Sequence, residues 1–117
     1  MVLNVLEPEW ECKFEECSYG FRPARSRNDA LSCLFYFLRD NNSSKSKYWV
    51  ADMNIEGCFD NIKHAALIEL LGDFLFSPLI LLWLKAGLFE RCVFIETKMG
   101  IPQGGIIPPL LANIALH

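Results

Sequence analysis

The stretch that most constrains this chain is Asp52-Met53-Asn54-Ile55-Glu56-Gly57-Cys58-Phe59-Asp60-Asn61-Ile62. Lys47-Tyr48-Trp49-Val50-Ala51 leads into it with aromatic and β-branched residues, which suit a strand. Side chains alternate faces along a strand, so Asp52 and Asn54 would point the same way. Gly57 would bend or end the strand.

A carboxylate at the end of a strand, followed by an aromatic, is how two-metal nucleotidyl transferases begin their site: such a carboxylate bridges two metal ions that align attacking and leaving oxygens. Mg²⁺ wants hard, anionic oxygen ligands, and Asn54 offers a neutral amide oxygen. Taken alone, the segment also admits a plainer reading, a buried strand closing in a polar turn.

Two other stretches change the weighting. Leu6-Glu7-Pro8 and Ser18-Tyr19-Gly20-Phe21-Arg22-Pro23-Ala24-Arg25-Ser26 lie upstream. Gly100-Ile101-Pro102-Gln103-Gly104-Gly105-Ile106-Ile107-Pro108-Pro109, continuing to His117, lies downstream. With Asp52–Ile62 between them, the three resemble the second, third and fourth conserved blocks of group II intron reverse transcriptases, in family order. The resemblance runs from about Leu6 to His117 and implies part of the fingers and the first half of the palm. The fold it implies is α+β, with helices packed on an incomplete antiparallel sheet, as a single partial reverse-transcriptase domain over residues 1–117.

The resemblance also implies roles. Asn54 stands where the family carries its metal-binding Asp, and Asp52 keeps the family's preceding Asp. Phe59 matches the aromatic that gates against a ribose 2′-hydroxyl. Arg22 and Arg25 match fingers arginines that meet the incoming triphosphate, a task suited to a bidentate fork. Gln103 and Gly104 match the loop packed against nucleotide and template, where glycine lets backbone approach closely.

The family's next block, Tyr-x-Asp-Asp, would supply two further carboxylates and is expected after His117. With Asn54 as well, all three expected metal ligands are absent from this sequence. Metals supply much of the electrostatic stabilisation of phosphoryl transfer. The family uses Mg²⁺; no cofactor is expected in this chain, and no polymerase activity from it alone. Group II intron RNA, or another RNA, is the partner the resemblance implies. A protein partner covering the incomplete palm is expected too, because an unpaired sheet edge exposes backbone groups. Three readings follow: a degenerate, non-catalytic fragment of such an enzyme, a remnant co-opted as a structural subunit of an organellar ribosome or membrane complex, or half of a split enzyme.

Composition bears on these readings. The 117 residues allow one small domain, and 52% hydrophobic residues suffice for a core. Eleven basic against fourteen acidic residues give a net charge of −3, unlike most nucleic-acid-binding domains. Arg22, Arg25, Arg27, Lys45 and Lys47 are the basic residues available for a local patch, or else polar loops around a helix start. Cys12, Cys17, Cys33, Cys58 and Cys92 lack zinc-type spacing and read as reduced thiols, mostly in the core. The N-terminus lacks the basic start of a secretory signal and the arginines of a transit peptide. The run Phe74–Leu84 is broken by Ser77-Pro78 and falls short of the roughly 20 residues that span a bilayer. A bacterial cytoplasm or an organelle (mitochondrion or chloroplast) is expected, not secretion.

Local signals predict the remaining elements. Ser26 or Asn28 caps a helix over 29–39 with Ala30, Leu31, Leu34, Phe35 and Leu38 on its apolar face. A polar loop covers 40–47. Helices follow over 63–71, ended near Gly72, and 77–86, with Pro78 in the first turn and Gly87 as C-cap. His64 sits at the first of these starts as a structural neighbour of the cap. A strand is expected over 92–97 and a helix over 109–116.

Overall fold

The computed structural model describes residues 1–39, 49–90, 93–95, 97–102 and 104–117. Six helices and one hairpin are present among them: α1 Val2–Glu11, α2 Arg27–Leu38, α3 Cys58–Asn61, α4 His64–Leu71, α5 Ser77–Lys85, β1 Leu88–Glu90, β2 Val93–Ile95 and α6 Pro108–Leu116.

Several helix boundaries have a local cause. Ser26 closes a capping box on α2: the Asp29 amide donates to Ser26 Oγ at 3.2 Å, and the Ser26 amide donates back to the Asp29 carboxylate at 2.7 Å. Pro78 occupies the first turn of α5, where a missing N–H costs nothing. Gly72 and Gly87 take positive φ (55° and 77°) just past α4 and α5, the conformation that lets a helix stop. Thr97 Oγ1 donates to the Leu84 carbonyl at 2.6 Å, satisfying a free group in the last turn of α5.

The core is built helix against helix. Leu6 and Trp10 of α1, Leu67 and Leu71 of α4, Ile80 and Leu84 of α5, and Leu110 and Ile114 of α6 share one buried cluster. Leu6, Leu67, Ile80 and Ile114 are fully buried, and α4 lies centrally, packed on both α5 and α6. Fully burying an aliphatic side chain of this size contributes about 1.5–3 kcal/mol, so these four positions anchor the fold.

The expected α+β fold, with helices on an incomplete antiparallel sheet, is not what these residues form. The described chain is helical, and every described core residue lies on a helix or in a loop. Pairing is confined to the hairpin β1–β2, with three residues per strand in the register Leu88↔Ile95, Phe89↔Phe94, Glu90↔Val93. The strand expected through Val50 and Asp52 is absent: residues 49–56 carry no regular element, and Trp49 and Met53 are 98% and 86% exposed. Alternation gives a segment two faces, but a strand exists only once a neighbour takes up its backbone groups. No described segment does so here.

Two further expectations differ. Helix α2 forms where predicted, yet no residue on it is buried; Leu31, Leu34, Phe35 and Leu38 all face solvent. The cysteines expected mostly in the core are not there: Cys12 and Cys17 are exposed, Cys33 and Cys58 half-exposed, all four as free thiols. The loop over 40–47, with Lys45 and Lys47, and Cys92 lie outside the described residues. No helix of the described residues is long and apolar enough to cross a membrane.

Candidate functional site

The segment around Asp60 and the loop around Gly100 are bound to each other through backbone. The Gly100 amide donates to the Ile62 carbonyl at 2.8 Å, and the Ile101 amide donates to the Phe59 carbonyl at 2.8 Å. Nε2 of buried His64 lies 2.7 Å from the Gly100 carbonyl oxygen, to which it can only donate. Gly100 has φ +88°, and a Cβ there would stand 2.9 Å from the Asp60 carbonyl oxygen. Only glycine permits this crossing. On the other side of the turn, Gly57 (φ 59°) starts α3, and Asn61 Nδ2 donates back to its carbonyl at 2.8 Å.

This docking fixes Phe59, which is half-buried against the core. Asp52 and Asn54 precede the docked turn and are exposed, with no hydrogen-bond partner among the described residues. Gly104 has φ +101° and open space where a side chain would stand, so its backbone is accessible. Gln103 lies outside the described residues. An apolar cavity of about 230 Å³ sits behind the loop, lined by Trp83, Leu84, Ile101, Pro102, Ile107 and Leu111, among others.

Arg22 is placed elsewhere and is fully engaged. Its side chain is buried against α1, with Nε 3.2 and 3.1 Å from the two Glu11 carboxylate oxygens and Nη2 2.8 Å from one of them. Nη1 donates to the carbonyls of Glu15 at 2.6 Å and Ser18 at 3.1 Å. The Glu11 hydrogen bonds push its ionisation further up, against the opposing effect of burial. Phe21 and Ala24, close on either side of it, take left-handed backbone (φ 54° and 57°), a conformation costing roughly 1 kcal/mol each that the Arg22 bonds offset.

Arg25 is only half-buried. Its Nη1 donates to the Glu16 carbonyl and, at 3.0 Å, to that of Ser18; its guanidinium lies 5.3 Å from the Tyr19 ring centroid. The Tyr19 phenol is pushed up, chiefly by a hydrogen bond with Cys33 and then by burial, which ties this loop to α2. Asn113 Nδ2 donates to the Gly20 carbonyl at 2.9 Å, tying the same loop to α6.

Sequence reasoning missed Glu11 and Tyr19 as partners of these arginines. Glu11 ends a helix with Pro8 in its interior, a poor helix signal. The Tyr19–Cys33 contact joins a loop to a helix, and no local pattern announces it.

A divalent cation here would need several converging anionic donors. Asp52 offers one carboxylate and Asn54 a neutral amide. Among the described residues no three His, Cys, Asp or Glu side chains converge. These residues do not fit a Mg²⁺ site, since that ion is held by anionic, octahedrally placed oxygens.

Comparison with known proteins agrees with the order of the three blocks. The reverse transcriptase (RNA-dependent DNA polymerase) family matches residues 1–117. The chain is 44% identical to Group II intron-encoded protein LtrA of Lactococcus lactis subsp. cremoris over 117 residues, covering 97% of this chain and 18% of that protein. It is 35% identical to Protein YkfC of Escherichia coli (strain K12), covering 99% of this chain and 31% of that protein. An uncharacterized 91 kDa protein in a cob intron of Schizosaccharomyces pombe is 39% identical, with 97% of this chain and 14% of that protein covered. The chain thus spans less than a fifth of the length of LtrA, at 18%. With its three motif blocks in order and the family matching residues 1–117, the chain belongs to the reverse transcriptase family and is similar to group II intron-encoded proteins.

Proposed function

We propose that residues 1–117 form one partial fingers and palm domain of a group II intron-encoded reverse transcriptase that binds RNA without polymerising on it. The observation that carries this reading is the contrast within one motif. The turn at Phe59 and the loop at Gly100 are docked by two backbone hydrogen bonds, while the metal position beside them is the neutral Asn54. The scaffold is built and the charge that chemistry needs is not. On this reading the chain holds no Mg²⁺, and the exposed Gly104 backbone and half-buried Arg25 face RNA. Its compartment is one where such introns are expressed, a bacterial cytoplasm or an organelle.

The test pairs two assays on the full chain. A primer-extension assay with template, nucleotides and Mg²⁺ is expected to give no product, for this chain and for Asn54→Asp alike, since no third carboxylate of the described residues converges with Asp52. A binding assay is expected to retain a group II intron RNA over a scrambled RNA of equal length. Robust synthesis would overturn the non-catalytic reading; equal retention of both RNAs would overturn the RNA reading.

A second reading has its own observation. The apolar face of α2 is exposed, with Phe35 71% accessible, and a patch of that kind marks a contact. A protein partner over this face fits a structural subunit, or a split enzyme whose second chain brings the carboxylates. Detection of synthesis only when a second chain is added would select the split enzyme.

A further inference from the structure

We propose that the groove between α4 and α5 is a docking site for an acidic amphipathic helix of a partner protein. The groove has a volume of about 700 Å³. Its rim carries Lys63 from the start of α4, Lys85 from the last turn of α5 and Lys98 from the loop; its floor is Ile68, Leu81 and Met99. All three lysines are exposed, and none has an ion-pair partner among the described residues. Among the described residues no carboxylate lines the groove, although acidic residues outnumber basic ones fourteen to eleven in the chain. The sign of the surface is inverted here, by lysines brought from three separate elements.

The lining selects the occupant. A nucleic-acid strand is held by stacking on exposed aromatic rings and by arginine forks; among the described residues this groove has no arginine, and its one ring, that of His64, is buried and bonded to the Gly100 carbonyl. The phosphates of a duplex would meet the lysines and leave the aliphatic floor wet. A helix with apolar residues on one stripe and glutamates on its flanks satisfies both parts, as in other helix-in-groove complexes. Met99, 47% exposed, supplies the adaptable surface such grooves use. The proposal stands whether or not the chain polymerises.

The test displays peptides of about 18 residues, roughly five helical turns. Apolar residues are fixed on one stripe, and the flanks vary among Glu, Gln and Lys. Peptides are selected on the full chain, and winners are measured by fluorescence polarisation. Glutamate flanks are expected to be enriched. Binding is expected to weaken about tenfold or more, some 1.4 kcal/mol, in Met99→Asp and in the triple variant Lys63→Glu/Lys85→Glu/Lys98→Glu. The triple variant is expected to prefer Lys-flanked peptides instead. All four sites are exposed, and circular dichroism checks that the variants fold. No enrichment, no charge preference or undiminished binding by the triple variant would each overturn the proposal. So would an RNA duplex that displaces the peptide and whose salt dependence falls by about three phosphate contacts in the triple variant.

Discussion

Arg22 and Glu11 form a clamp that spans two elements: the guanidinium Nη2 and the Glu11 carboxylate are 2.8 Å apart, with the Arg22 side chain 3% exposed and that of Glu11 23%. Such a group is unavailable to a phosphate unless the clamp opens. Glu11→Gln is expected to destabilise the chain by about 2–3 kcal/mol, below the roughly 3–5 of a fully buried pair because Glu11 keeps solvent contact. Arg22→Lys loses the planar fork and is expected to cost a similar amount. Urea unfolding checks both. An Arg22→Lys variant with unchanged stability and weakened nucleotide binding would return Arg22 to the triphosphate role.

Gly100 passes where no side chain fits. Gly100→Ala combines positive φ with a Cβ 2.9 Å from the Asp60 carbonyl oxygen, and it is expected to cost more than about 1 kcal/mol. Gly20→Ala has open space and no positive φ, so it should change stability little. Equal thermal midpoints for the two variants would show that the loop does not dock on α3 in solution.

Acid weakens this fold through two carboxylates. Asp29 is held below its ordinary value of 3.8, first by the Ser26 hydroxyl and then by the Ser26 amide. Glu15 is held below 4.5, first by its own backbone amide and also by His117, whose Nδ1 lies 3.0 Å away. A depressed folded value means that the stabilisation is complete above the unfolded value and drains as pH falls through the folded one. Stability is therefore expected to be level in these terms above about pH 4.5 and to decline below it. Ser26→Ala, which removes the cap, should flatten the Asp29 part of that decline and cost α2 about 1 kcal/mol at neutral pH. Denaturant midpoints across pH 2–6 measure both.

The helices were legible wherever the signal was local. A cap at Ser26 or Asn28, Pro78 and the glycines after α4 and α5 each act within one turn of chain, so sequence alone offers them; the structure selects Ser26, in a box with Asp29. What failed was everything needing a distant partner. Val50 and Asp52 alternate like a strand, but no described segment pairs with them. The pairing of Arg22 with Glu11, eleven residues back on an unrecognised helix, was not legible either. Leu34 and Phe35 share a helical face that the pattern assigns to a core, yet no described residue covers it. His64 was legible as a structural neighbour of a helix start, though its bond to Gly100, thirty-six residues on, was not.

The apolar face of α2 should govern solubility more than stability. Leu34→Glu with Phe35→Lys removes two exposed hydrophobes, 51% and 71% accessible. The pair is expected to shift unfolding by less than about 0.5 kcal/mol while lowering light scattering at high concentration. A large loss of stability would instead mean that this face is packed in solution.

The hydrogen bond from Asn113 to Gly20 and the contacts of Trp10 with the His117 ring, 5.9 Å between centroids, join regions separated by about the whole chain. During synthesis the first helix and the loop after it therefore leave the ribosome long before α6 can cover them. Chains emerge at roughly 5–20 residues per second, so Leu6 and Trp10 wait several seconds uncovered. That interval is when a nascent chain of this design is open to chaperones, and its own folding cannot shorten it.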